Sequence, residues 1–145
     1  MITNSDITLY NSYYDNESGI NKYKRTYLYG VNFQASNVIK NDRVRGLIED
    51  NSISIYIPFS VDSKGKKYMK PKAYARLSED EREQYFTLNN NDKVVRGIID
   101  FKITGENDKN IAFLESYYDD VYNISTIVTN DCGDYNMQHW RVGVK

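Results

Sequence analysis

The amino-terminal third of the chain alternates apolar and polar residues with the period of two that is typical of β-strands. Residues 7–14 form the first predicted strand, and the Asp/Asn/Gly-containing segment 15–19 after it has the composition of a hairpin loop. Residues 23–33 carry the longest alternation, which Gly30 interrupts. A glycine inside such a run often marks a bulge or a bend, so we expect the strand to curve there.

Two further segments alternate in the same way. Residues 52–59 predict a half-buried strand that ends near Pro58, with one face formed by Ile53, Ile55, Ile57 and Phe59. Residues 94–103 predict another strand after the turn-forming segment 89–92. Its inward face is expected to carry Ile99, Phe101 and Ile103.

Helical signals are short. Residues 71–77 and 111–117 could each form one or two turns, and the segment from Ser78 to Glu81 matches a capping box, in which the serine hydroxyl and the glutamate carboxylate satisfy the first amides of a helix. Residues 38–50 have weak periodicity and many charges. We interpret them as a loop or an edge segment.

The last third of the chain predicts a hairpin of two strands, residues 118–128 and 139–145, joined by a turn at 130–134. This hairpin gathers the only cysteine, the only histidine and the only tryptophan: Cys132, His139 and Trp140. The rare and chemically versatile residues therefore lie on a structural turn.

These patterns predict a mainly β protein, a small β-barrel or sandwich with one or two short helices and long loops. At 145 residues the chain fits a single domain spanning residues 1–145. We assign structural roles in its turns and closing hairpin to Asn91, Asp92, Gly97, Asp131, Gly133 and Trp140.

The composition disfavours several classes of function. A net charge of −1 lacks the basic surplus of a nucleic-acid binder, and the single cysteine fits a reducing cytoplasm. No apolar run approaches a membrane span, and no signal peptide opens the chain, so we expect no membrane partner and no export. The 14 tyrosines suit either pairs across strands or protein interfaces.

No catalytic set stands out. Cys132 and His139 lack a third group that would orient the imidazole, and they are too few for a zinc site. The acidic groups lack the spacing of a calcium loop, although two converging carboxylates could support hydrolysis: Asp119 with Asp120, Asp131 with Asp134, and Glu79 to Glu81. We therefore expect no enzyme, no cofactor and no metal.

One segment concentrates positive charge and interleaves it with tyrosine, the pattern of a surface that contacts a phosphate backbone. A solvated loop explains it more simply. We take it as a candidate interface loop, and its residues are Lys64, Lys66, Lys67, Tyr68, Lys70 and Lys72.

Four segments carry a resemblance to a known group of proteins: residues 1–10, 90–97, 118–124 and 139–142. They resemble small structural proteins from the head-to-tail joining gene block of tailed phages, the head completion or stopper type. Such proteins commonly show an Asn/Gly-Asp-x-Val-Val turn into a strand. Here the turn reads Asn-Asp where Gly-Asp is more usual.

The resemblance implies a virion protein of the neck that assembles as a ring of its own copies between the portal or adaptor and the tail. The ring would gate DNA exit and contact passing double-stranded DNA at most non-specifically, after synthesis in the bacterial cytoplasm. Two alternatives stay open: a tail-completion or terminator protein, and a small phage-encoded inhibitor of a host defence enzyme.

Overall fold

The chain forms a closed barrel of six antiparallel strands in the order β1, β2, β3, β8, β7, β6. The computed structural model describes the backbone of residues 2–42 and 46–145, and the side chains of 2–35 and 53–145. The barrel strands are β1 (Ser5–Asp15), β2 (Ile20–Asp42), β3 (Gly46–Pro58), β6 (Lys93–Arg96), β7 (Val121–Asn130) and β8 (His139–Val144). The predicted mainly β fold is confirmed, and of the two architectures it is the barrel.

The remaining elements are short. A two-stranded parallel sheet joins β4 (Lys67–Tyr68) to β5 (Tyr85–Phe86), and the helices are α1 (Pro71–Ala75), α2 (Glu79–Arg82) and α3 (Ile111–Tyr117), with a single 3-10 turn at Tyr135–Met137. The capping box is confirmed, because the Ser78 side chain accepts from the Glu81 amide while the Glu81 side chain accepts from the Ser78 amide. The described residues hold three α-helices, more than the one or two expected.

No described helix has the length and apolar character that a membrane crossing requires.

Gly30 is the bulge that the sequence predicts. β1 and β2 pair as Asp6 with Tyr29 and then Ser5 with Val31, which leaves Gly30 as the extra residue. Its φ of 88° is a backbone conformation that favours glycine. The Gly30 amide donates to the Asp6 carboxylate at 2.9 Å, so the bulged backbone group has a partner.

The barrel interior is the main core. Ile55 and Ile57 are buried there, and Ile53 and Phe59 pack against the same cluster, as the alternation in residues 52–59 predicts. Trp140 contacts this core through aromatic rings: its centroid lies 4.4 Å from that of Phe59 and 4.5 Å from that of Tyr68.

A second core covers the outside of β1 and β6. Tyr10, Val95 and Leu114 are buried there, which places α3 against the outer face of the barrel. The prediction of a strand over residues 94–103 is wrong beyond Arg96, where β6 ends. The inward packing of Ile99, Phe101 and Ile103 is confirmed, because these residues contact this second core from an irregular segment.

Residues 38–42 and 46–50 belong to two long paired strands. β2 and β3 stay in register from Asn32 opposite Tyr56 to Asp42 opposite Gly46, so the interpretation as a loop is wrong for the described backbone and the edge interpretation is right. These pairs lie beyond the parts of β2 and β3 that pair with β1 and β8. We call the paired residues 36–42 and 46–52 the β2–β3 arm.

Candidate functional site

The candidate interface loop does not form one basic patch. Lys66 turns inward, where its Nζ donates to the Arg25 carbonyl at 2.9 Å and to Thr26 Oγ1 at 3.0 Å. Burial lowers the pKa of the Lys66 amine. Lys66 thus satisfies a carbonyl on β2 instead of offering its charge to a partner.

The other residues of this loop have three different environments. Tyr68 packs on Trp140, and Lys64 lies 4.7 Å from the centre of the Tyr29 ring, whereas Lys67 is exposed. Lys70 and Lys72 are exposed and line an open groove of about 720 Å³ beside β7. Only part of the predicted loop therefore remains available to a partner.

The predicted turn residues divide into buried and exposed groups. Trp140 is a core residue and Asp92 is fully buried, whereas Asp131 and Gly133 lie exposed in the β7–β8 connection. Asn91 has a φ of 70° and Gly97 one of 96°, so both occupy the left-handed region that turns use.

Asp92 organises a buried polar network that the sequence does not reveal. Its Oδ2 accepts from the Asn11 amide at 2.9 Å, and its Oδ1 accepts from the Ser12 hydroxyl at 2.8 Å and from the Ser12 amide at 3.1 Å. Burial raises the pKa of this carboxyl, against the lowering effect of these hydrogen bonds. The carboxylate ties the turn before β6 to the middle of β1.

His139 is held by polar groups on both sides of its ring. Nδ1 lies 2.9 Å from the Met137 carbonyl, and Nε2 lies 3.0 Å from the Asn130 amide nitrogen. Each ring nitrogen therefore has a polar contact. Both nitrogens are occupied by these contacts, so the imidazole is not arranged to activate the exposed Cys132.

The acidic candidates are surface residues. Asp119 and Asp120 are exposed, as are Asp131 and Asp134, and the Tyr122 hydroxyl donates to Asp120 at 3.4 Å. Among the side chains of residues 2–35 and 53–145, no group of three or more histidine, cysteine or acidic residues is arranged to hold a metal ion.

The feature that sequence reasoning missed is the β2–β3 arm. It consists of seven further residue pairs beyond Ala35 opposite Ile53. At about 3.4 Å per residue the arm extends the hairpin by roughly 24 Å. Its signal in the sequence is weak, because residues 38–50 do not alternate regularly between apolar and polar positions.

The arm has free edges along its described backbone. β2 pairs with β1 only as far as Val31, and β3 pairs with β8 only from Ile53 onward. In the arm the two strands pair with each other alone. Each outer edge therefore carries a row of backbone amide and carbonyl groups without a strand partner.

Comparisons with known proteins give a family but no activity. No curated protein and no solved structure matches the chain. A family model described as "Family of unknown function (DUF6751)" matches residues 2–145, and the chain therefore belongs to this family.

Proposed function

We propose that this protein is a non-enzymatic structural component of a phage virion, of the head-tail connector or stopper type. In this role it forms a ring of its own copies in the neck, contacts the portal or adaptor on one side and the tail on the other, and gates DNA exit. The single observation that carries the proposal is the β2–β3 arm, a paired ribbon that leaves the barrel with both edges free.

The arm needs a partner for physical reasons. A two-stranded ribbon on its own is marginally stable in water. Free strand edges gain main-chain hydrogen bonds when another strand adds to them, and a head-to-tail ring supplies such a strand from the adjacent copy. Charged residues in the arm sequence, Lys40, Asp42, Glu49 and Asp50 among them, disfavour indiscriminate edge pairing.

Other exposed residues suit contacts between proteins. Tyr14 and Ile20 flank the β1–β2 turn, and they expose 59% and 52% of their surface. Tyr135 and Met137 expose 60% and 67% in the β7–β8 connection. Aromatic residues and methionine are enriched at protein interfaces, so both hairpin ends are candidate contacts with flanking virion proteins.

The near-neutral charge is compatible with a conduit for DNA. A net charge of −1 gives little non-specific attraction to phosphates, so a ring of such subunits would let the duplex pass. The sequence resemblance to head completion proteins, described above for residues 1–10, 90–97, 118–124 and 139–142, points to the same place in the virion.

The proposal is tested in the bacterium that carries the gene. After prophage induction, tailed particles are purified and the chain is quantified by mass spectrometry. We expect several copies of the chain per particle. Its presence in the lysate with none in particles would contradict the proposal and favour the inhibitor.

A variant with a shortened β2–β3 arm tests whether the arm is needed to join heads to tails. Replacing residues 38–50 with a two-residue Asn-Gly turn removes most of the arm and leaves the described barrel residues unchanged. We expect a folded protein, heads filled with DNA, and tails that do not join, as seen by electron microscopy. Free tails of irregular length would instead indicate a tail terminator.

A further inference from the structure

A small cavity lies between β2 and the irregular segment that follows β6. Its volume is about 270 Å³, and the polar residues that line it include Lys24, Arg25, Glu83, Lys102 and Thr104. Lys24 and Arg25 are neighbours on β2, whereas Lys102 and Thr104 come from the segment that covers the second core. The fold thus brings together basic residues that are more than 70 positions apart in the sequence.

The wall of this cavity has an excess of positive charge. Glu83 is the one carboxylate in the lining, and it is ion-paired with Lys24. The hydrogen bond from Lys24 lowers the pKa of Glu83, so this carboxylate stays ionised and neutralises one of the three cations. Arg25 and Lys102 have no carboxylate within ion-pair distance among the residues whose side chains are described.

Lys66 adds to the positive electrostatic potential next to the cavity lining. Its amine is fixed to the Arg25 carbonyl and to Thr26 Oγ1, so it lies beside the same stretch of β2. Glu83 is close enough to sense its charge, as it senses those of Lys24 and Lys102. Four basic side chains therefore lie near Glu83, and a second carboxylate, that of Glu79, lies 3.9 Å from Lys24 outside the cavity lining.

Arg25 has a guanidinium nitrogen that lacks a hydrogen-bond acceptor. Its Nη1 is buried and has no hydrogen-bond partner among the described residues. The guanidinium carbon lies 5.0 Å from the centre of the Tyr27 ring, which supports the charge but does not replace a hydrogen-bond acceptor. A buried guanidinium nitrogen without an acceptor is costly, and an oxyanion is the acceptor that the guanidinium fork matches best.

The polar neighbours do not supply that acceptor. The Tyr10 hydroxyl, which also lines the cavity, donates its proton to the Phe101 carbonyl at 2.6 Å. Thr104 contributes a hydroxyl that can donate to a bound anion. The cavity is also large enough for a tetrahedral oxyanion with a few water molecules.

We propose that this cavity binds a small phosphate-like oxyanion, held by Arg25 and Lys102 with help from Thr104. The site is independent of ring assembly and would be present in the isolated chain. The anion contacts the guanidinium of Arg25 and neutralises the excess charge between β2 and the segment 102–104.

The test is calorimetric titration of the full chain with inorganic phosphate, at constant ionic strength set by sodium chloride. We expect saturable binding with one site per chain. Arg25→Lys keeps the charge but loses the fork, and we expect at least about tenfold weaker binding, the effect of losing one charge-assisted hydrogen bond. Lys102→Gln, at an exposed position, should weaken binding by a factor of about three to ten.

Lys109→Gln is the control, because Lys109 lies in the same stretch of chain but outside this cavity and the variant loses the same charge. Its affinity should equal that of the wild type. Absence of saturable binding, or equal weakening in Lys102→Gln and Lys109→Gln, would overturn the proposal. A short DNA duplex at equal phosphate concentration distinguishes the source: binding of the duplex but not of inorganic phosphate would also overturn it.

Discussion

At the residue scale, the side-chain amide of Asn11 links three segments of the chain by hydrogen bonds. The Asn11 Nδ2 donates to the Thr87 carbonyl at 2.6 Å and to Asp92, while the Asn11 Oδ1 accepts from the Thr87 amide at 3.1 Å. Every one of these groups is buried, so each contact replaces one that water made in the unfolded chain. A rotation that exchanged the oxygen and nitrogen of the Asn11 amide would break both of its hydrogen bonds to Thr87.

This constraint makes Asp92→Asn a destabilising change although it removes a buried charge. The new amide nitrogen would face the Asn11 amide nitrogen, and two donors would meet. We expect the free energy of unfolding at pH 7 to fall by about 1–3 kcal/mol. Urea denaturation measures it, and Asp119→Asn at an exposed position should change it by less than about 0.5 kcal/mol.

The same carboxyl gives a pH dependence with a defined sign. Burial raises the pKa of Asp92 above its ordinary value of 3.8, so the folded protein binds this proton more tightly than the unfolded chain does. The stabilisation from this group is fully present below the unfolded pKa and is lost as the pH rises through the folded pKa.

We therefore expect the stability difference between wild type and Asp92→Asn to shrink as the pH rises from about 4, by at most ~1.4 kcal/mol per pH unit. Denaturation at a series of pH values tests this. A difference that is constant with pH, or that grows, would show that the folded carboxyl does not have a raised pKa.

Two buried tyrosines allow the contribution of one hydrogen bond to the free energy of unfolding to be measured. The Tyr10 hydroxyl donates to the Phe101 carbonyl, whereas the Tyr74 hydroxyl has no partner in the described part of the chain. We expect Tyr10→Phe to lower the free energy of unfolding by about 1 kcal/mol, and Tyr74→Phe to leave it unchanged or raise it. Equal losses in thermal or urea denaturation would contradict this assignment.

At the element scale, a bulge sets the pairing of the last two strands. Ile124 pairs with Val144 and Thr126 with Gly143, which leaves Ser125 as the extra residue on β7. The Ser125 hydroxyl donates to the Gly143 carbonyl at 3.0 Å. A Cβ at position 143 would lie 2.2 Å from Thr126 Oγ1. The close approach of β7 and β8 at the bulge therefore leaves no space for a side chain at position 143 while Thr126 keeps its position.

Gly143→Ala should therefore destabilise the protein by about 1–3 kcal/mol through overpacking. Because the clash is with one hydroxyl, the double variant Thr126→Ala, Gly143→Ala should recover most of that loss. A double-mutant cycle in urea measures the coupling. Additive losses would place the strain in the backbone of β8 and not at the threonine.

At the scale of the whole molecule, the two cores share β1 and β6. Leu9 and Val94 point into the barrel, and their neighbours Tyr10 and Val95 point outward to α3 and the segment 99–103. The middle of β1 is consequently buried on both faces. This sharing couples the outer layer to the barrel and predicts one cooperative unit.

Leu114→Ala tests that coupling from the outer core. Removing this fully buried side chain should cost about 2–5 kcal/mol. Trp140 fluorescence reports on the barrel interior, and far-UV circular dichroism reports on the whole chain, so both transitions should shift together. A shift in circular dichroism with unchanged tryptophan fluorescence would mean that the outer layer unfolds independently.

Local patterns were sufficient for the elements whose cause is local. The bulge at Gly30, the capping box at Ser78 and the buried face of residues 53–59 follow from backbone freedom, side-chain reach and alternation. The strand predicted over 94–103 is wrong beyond Arg96, because Ile99, Phe101 and Ile103 pack against the second core without a strand partner. Alternation reports burial and cannot tell a paired strand from a covering segment.

The sequence by itself determined a mainly β fold and its turn chemistry, since both depend on neighbours within a few residues. Tertiary structure alone decided that the sheet closes, that the β2–β3 arm lies outside the barrel, and that Lys66 turns inward while Arg25, Lys24 and Lys102 meet at one cavity. These features depend on contacts between distant segments. A pattern along the chain records which residues prefer burial but not which partners bury them.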